Sequence, residues 1–333
     1  LDAFAQMNER TVHHGKIVRI GGVAIYLAFI ITMALYVKTD MAMNGILIGS
    51  TIMFIGGLVD DLVNLKPLYK FSFQVVAAIV LIASGVTLDV IRLPLGITIN
   101  MGVVSFIVTF FWITGITNAV NLIDGLDGLC GGISVIILTV IAMLAVIEGR
   151  GDVEMIALIL VGATLGFLIY NAHPASIFMG DCGALFLGFI ISAISLLGFK
   201  SSTIMTLALP LLLLALPIID TLSAILRRTL KGHKFSEADK SHIHHLLMNK
   251  FGHKNTVIIM CIVTALFGLT AYIYMINKGI GLISLFVIML AVDLFIEGSG
   301  MISDKYHPIL SVSRRIIRRL TRKKTITDSD RTN

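Results

Sequence analysis

Apolar runs of near twenty residues, separated by short polar turns, recur from one end of the sequence to the other. A helix needs about 20 such residues to cross the roughly 30 Å of bilayer hydrocarbon, so each run reads as a span. About ten spans are expected, at 20–37, 44–59, 71–87, 102–118, 129–147, 153–170, 183–199, 203–226, 256–276 and 280–296. A β-barrel would show ten-residue alternation and aromatic girdles, which this pattern lacks. The expected fold is therefore an all-α polytopic membrane protein. Thr87 to Met101 departs from it, alternating around Pro94 and Gly96, and is expected to form a small hairpin at the outer surface. Pro210 and Pro217 are expected to bend or break the span that contains them.

Composition supports the membrane reading, with 56% hydrophobic and only 14% charged residues where soluble domains carry about a quarter. An even number of spans puts both termini on one side. Loop parity then places 21 of the 26 Lys and Arg residues on that side, which the positive-inside rule makes cytoplasmic. The net charge of +6 reports those loops and does not call for a nucleic-acid partner. Cys130, Cys182 and Cys261 match neither a zinc nor a disulfide spacing and read as packing residues. The chain is expected to be one integral membrane domain over residues 1–333, with a basic cytoplasmic tail at 303–333. That tail interleaves Arg and Lys with Ile316, Ile317 and Leu320, as either an amphipathic helix on anionic lipid or a solvated anchor.

Three acidic segments fall on the same side by that parity. Asp60-Asp61 ends the second span, Asn118 to Gly128 follows the fourth, and Met179-Gly180-Asp181-Cys182-Gly183 opens the seventh. Carboxylates beside a bilayer cost several kcal/mol unless they meet water or a cation, so a shared metal and phosphate site is expected. Neighbouring Asp60 and Asp61 point about 100° apart on a helix. One is free to bind a cation while the other handles a proton, with Lys66 and Lys70 near enough to compensate. Asn118, Asn121, Asp124 and Asp127 step by three and would form one polar stripe if helical. Gly125 and Gly128 leave backbone open to a phosphate or sugar. A lone Asp181 suffices for magnesium, which shares its shell with water and substrate phosphate. Asn171 and His173-Pro174 just before it add polar groups and a rigid turn. The loop at 227–255 carries His242, His244 and His245, suited to neutralising a diphosphate leaving group.

In this order the residues resemble the polyprenyl-phosphate N-acetylhexosamine-1-phosphate transferases. The likeness runs through Arg10, His13 and Arg19-Ile20-Gly21-Gly22, then Asp60-Asp61, Asn118 to Leu129, His173-Pro174-Ala175 to Gly183, Asp220-Thr221, and His242-Ile243-His244-His245. The His-Ile-His-His run is more like the N-acetylglucosamine branch, which includes the wall teichoic acid initiator, than the muramoyl-pentapeptide branch. The resemblance implies transfer of N-acetylglucosamine 1-phosphate from UDP-N-acetylglucosamine to undecaprenyl phosphate, with magnesium or manganese as cofactor. It implies a bacterial plasma membrane enzyme with its site on the cytoplasmic face, bound to membrane lipid; the sequence leaves the oligomeric state open, a homodimer being one option. Asp181 is then the metal ligand, and Asp60 or Asp61 deprotonates the lipid phosphate. Asp127 and the three histidines join the catalytic set, while Arg10, Arg19, Asn118, Asn121, Asp124, Asn171 and Phe178 contact substrate. Members usually carry one more helix ahead of Arg10, so the chain, which opens on Leu1, is expected to lack it. Val18 and Ala184 stand where proline and serine are common, with little effect expected. The rival from another class is a divalent-cation transporter, whose ligands would sit on broken helices near the midplane.

Overall fold

The computed structural model describes residues 18–92, 98–198 and 243–299. Seven helices occupy the first part: α1 (Gly21–Tyr36), α2 (Met41–Val63), α3 (Pro67–Ala83), α4 (Val104–Ile123), α5 (Leu129–Ile147), α6 (Gly151–Asn171) and α7 (Gly180–Gly198). Three more follow: α8 (Ile243–Phe251), α9 (His253–Ile276) and α10 (Lys278–Ser299). Among the described residues, α2, α4, α5, α6, α7 and α9 are long and apolar enough to cross a membrane, while α1, α3 and part of α10 are shorter apolar helices. This is a multi-pass, all-α membrane architecture. The expected span at 203–226 lies outside the described residues, as do Pro210, Pro217 and the basic tail.

Local chemistry sets the helix limits. Asp40 caps α2 by accepting the Met43 N–H at 2.7 Å, and Asn64 closes it in the left-handed conformation, φ 52°. Pro67 opens α3 at a position where its missing N–H costs nothing. Asp152 and Glu154 lie in the first turn of α6, where a negative charge meets the helix dipole favourably. Between α3 and α4, strands β1 (Val90–Arg92) and β2 (Thr98–Asn100) pair antiparallel with Ile91 opposite Ile99. Asp89 steadies their entry, accepting from the hydroxyls of Thr87 and Ser105.

Helix α7 is the axis of the bundle. Every residue from Gly180 to Gly198 is buried except Asp181, and α2, α4 and α1 pack around it. The approach is close because Gly57 faces the backbone of Asp181 and Cys182. A Cβ at Gly57 would lie 2.5 Å from the Asp181 carbonyl oxygen. This crossing brings the C-terminal turn of α2 to the N-terminus of α7. On the other side, the N–H groups of Gly21 and Gly22 donate to the carbonyls of Phe178 and Met179, fixing the start of α1 beside the same point.

Two expectations at helix ends are corrected. Helix α2 runs past the expected end at residue 59 to Val63, and it carries Asp60 and Asp61 as the helical reading of that pair expected. The polar stripe from Asn118 to Asp127 is broken, because α4 stops at Ile123 and Asp124 turns out of it with ψ 44°. Asp127 then belongs to the loop, and its side chain points to a different neighbourhood from that of Asn121.

Candidate active site

The expected acids divide into two clusters. In the first, Asp60, Asp61 and Asn121 all reach the N-terminus of α7. Asp61 accepts the backbone N–H of Asp181 and that of Cys182, one on each carboxylate oxygen and both at 2.9 Å. It thus caps another helix, satisfying amides that α7 leaves without an internal partner. Its neighbour Asp60 faces away, as the angle between consecutive helical residues requires. Asp60 accepts the Leu65 N–H at 2.7 Å and pairs with the Lys70 ammonium. Lys70 also donates to Asp181 Oδ2 at 2.7 Å, while the Asn121 amide donates to Asp181 Oδ1 at 3.0 Å.

Two carboxylates, Asp60 and Asp181, therefore share a single ammonium, with Asp61 beside them on the α7 amides. Asp60 is buried and Asp181 is partly open, with about a quarter of its side chain exposed. Asp124 is half-buried next to them, and burial followed by the charges of Asp181 and Asp61 pushes its carboxyl up to about 8, against the opposing charge of Arg19. A pocket this rich in carboxylates favours a cation with oxygen ligands.

The second cluster gathers around Asp127. Its buried carboxylate pairs with His173 Nδ1 at 2.8 Å and accepts the Ala175 N–H at 3.2 Å. His253, the first residue of α9, brings Nε2 within 3.3 Å of the Asp127 carbonyl and 4.0 Å of its carboxylate. The His173 and His253 rings stack with centroids 4.1 Å apart. Donor atoms of Asp127, His173 and His253 all lie within 4.8 Å of one another, a possible metal-binding group.

Other expected contact residues serve the scaffold in this structure. Asn118 exchanges two amide hydrogen bonds with buried Gln74, at 3.0 and 2.8 Å, and donates to the Thr114 carbonyl. Both of its amide hydrogens are thereby used, and α3 is tied to α4 one turn below Asn121. Asn171 accepts the Gly128 N–H at 3.0 Å and donates to the Ile177 carbonyl at 2.9 Å, joining the two loops. Phe178 is held by its backbone, donating to the Val18 carbonyl and accepting from Gly21. Arg19 is exposed at the edge of the first cluster. Arg10, His242 and the side chains of His244 and His245 lie outside the described residues.

The sequence profile of glycosyl transferase family 4 matches residues 43–199, which hold both acid clusters apart from Arg19 and His253. A Bacillus subtilis protein described as a probable undecaprenyl-phosphate N-acetylglucosaminyl 1-phosphate transferase is 37% identical over 325 residues, covering 96% of this chain and 90% of the relative. The chain belongs to glycosyl transferase family 4. A Mycobacterium tuberculosis decaprenyl-phosphate N-acetylglucosaminephosphotransferase is 32% identical over 79% of this chain and 72% of its own length. A Streptococcus thermophilus phospho-N-acetylmuramoyl-pentapeptide-transferase is 33% identical, but over only 52% of the chain. Family membership agrees with the resemblance read from the motifs.

Lys70, Gln74, His173 and His253 carry the clusters as much as the expected acids do. Lys70, expected as a countercharge to the Asp60-Asp61 pair, stands one turn into α3, across the short turn from Asp60 in α2. His173 sits beside the named Asn171, whereas His253 is 126 positions from Asp127 and had none.

Proposed function

We propose that this chain transfers N-acetylglucosamine 1-phosphate from UDP-N-acetylglucosamine to undecaprenyl phosphate, releasing UMP, at the cytoplasmic face of a bacterial plasma membrane. The product would start a cell-wall glycopolymer of the teichoic acid type. The observation that carries this reading is the meeting of Asp60, Lys70 and Asn121 on Asp181, in a chain so similar to the Bacillus subtilis relative along nearly its whole length. The cytoplasmic orientation rests on the distribution of Lys and Arg between the two sides.

Phosphoryl transfer depends mainly on positioning and charge neutralisation, and the first cluster is suited to both. Asp60 is the candidate base for the lipid phosphate, because Asp61 spends both oxygens on the α7 amides. Asp61 is better placed to orient Asp181 than to move a proton. The residues fit magnesium: Asp181 and Asp60 already share one cation, the Lys70 ammonium, and their donors are the hard oxygens this ion takes. When bound, magnesium supplies positive charge to a diphosphate. Asp181 would hold it, with Asp124 and Asn121 beside it. Lys70 remains as a mobile countercharge able to meet a phosphate oxygen.

The test is sugar-phosphate transfer by the full-length protein in detergent, with undecaprenyl phosphate, magnesium and a panel of UDP-sugars, the lipid product being weighed by mass spectrometry. The expected product is undecaprenyl-diphospho-N-acetylglucosamine. A muramoyl-pentapeptide product would move the chain to the other branch, and no lipid-linked product with any donor would overturn the reading.

A further inference from the structure

We infer that Asp127, His173 and His253 form a second metal site, one for a borderline transition-metal ion of the zinc class, distinct from the oxygen-lined pocket at Asp181. Three independent chain segments bring their donors to one point: the loop after α4, the turn after α6 and the first residue of α9. Two imidazoles and one carboxylate make a nitrogen-rich set. That chemistry suits zinc and its neighbours, whereas magnesium takes oxygen ligands and usually keeps several waters.

The geometry is close to a ligand shell. Bonds of about 2.0–2.1 Å in a tetrahedral arrangement place donor atoms roughly 3.3 Å apart. Asp127 Oδ2 stands 2.8 Å from His173 Nδ1 and 4.0 Å from His253 Nε2, so the two spacings straddle that value, and all three donors lie within 4.8 Å of one another. For an ion to replace the proton now shared between Asp127 and His173, the two stacked rings would splay so that both nitrogens aim at it. The Ala175 N–H already holds the Asp127 carboxylate in place, as the outer partners of metal ligands do. Asp127 is buried, His253 is partly buried and His173 keeps about a third of its side chain in solvent. Three protein ligands among the described residues are the number that leaves a fourth position for water or another oxygen.

The test does not depend on the transferase reading. Full-length protein in detergent, held in excess magnesium to occupy oxygen sites, is titrated with Co2+ and followed by visible absorption. One equivalent should bind with the intense bands of four-coordinate cobalt. His173→Ala and His253→Ala should each abolish those bands, and Asp181→Asn should keep them. Absent bands, or bands unchanged in both histidine variants, overturn the site. As a check that needs no variant, X-ray absorption of the zinc-loaded wild-type protein should show about two imidazole nitrogens in the shell. An all-oxygen shell, or one of imidazoles alone, also overturns it.

Discussion

The two acid clusters differ in how charge is balanced, and this divides their tasks. Around Asp181, two carboxylates share one ammonium and a third, Asp61, lies alongside on backbone amides, leaving a surplus of negative charge at a partly open helix end. Around Asp127, one buried carboxylate is matched by two imidazoles and a backbone amide, and the group ties α9 to the loops after α4 and α6. The first arrangement suits the cation and substrate proposed for it, whereas the second links three segments of the fold whether or not a metal joins it. Loss of a charge should therefore be felt mainly in turnover at one cluster and in stability at the other.

The largest effect is expected at the first cluster. Asp181→Asn and Asp60→Asn should each lower transfer about 10²–10³-fold, since charge stabilisation is the leading catalytic term, while thermal melting in detergent changes little. Equal loss of melting temperature and activity would erase the contrast. Asp127→Ala should do the reverse in order of severity, costing about 3–5 kcal/mol because a buried partner is left behind, as read from denaturant or thermal unfolding. Asp61→Asn should fall between them, since an amide oxygen can replace only part of the double cap. A buried N–H left unsatisfied costs about 1–3 kcal/mol, and activity should drop with stability rather than independently of it.

A subtler effect concerns pH. The folded protein raises the Asp124 carboxyl from 3.8 to about 8, so the folded state binds the proton more tightly than the unfolded chain. Metal-free stability is then favoured below the lower value, falls as pH rises between the two, and levels off above the upper one. Melting curves of wild type and Asp124→Asn across that range should differ by this slope, which a divalent cation should flatten. The smallest change is expected for Gln74→Leu, which removes the amide exchange with Asn118. Hydrogen bonds between membrane helices average about 0.6 kcal/mol, so activity should survive with a slight loss of stability.

Helix positions were largely legible in the sequence because a bilayer demands long apolar runs. The expected span at 129–147 coincides with α5, and those at 20–37, 153–170 and 256–276 differ from their helices by a few residues at most. The errors fall at polar ends. Asp60 and Asp61 drop out of a hydropathy reading, yet the α2 backbone continues through them until Asn64 turns it. The step of three from Asn118 to Asp127 looked helical, but periodicity does not register the turn at Asp124. The site was half legible: the acids declared themselves by their cost near a membrane and Lys70 as a nearby countercharge, while partners from more distant segments did not. Gln74 looks like an ordinary polar residue in α3, and His253 meets Asp127 through the packing of α9 on α5.

Asp61 grips α7 through two peptide amides, so its hold depends first on how near the two main chains can come. Gly57 sets that distance, since even a methyl group there would push against the main chain of residues 181 and 182. Gly57→Ala should therefore loosen the acid's double grip without touching a single charged group.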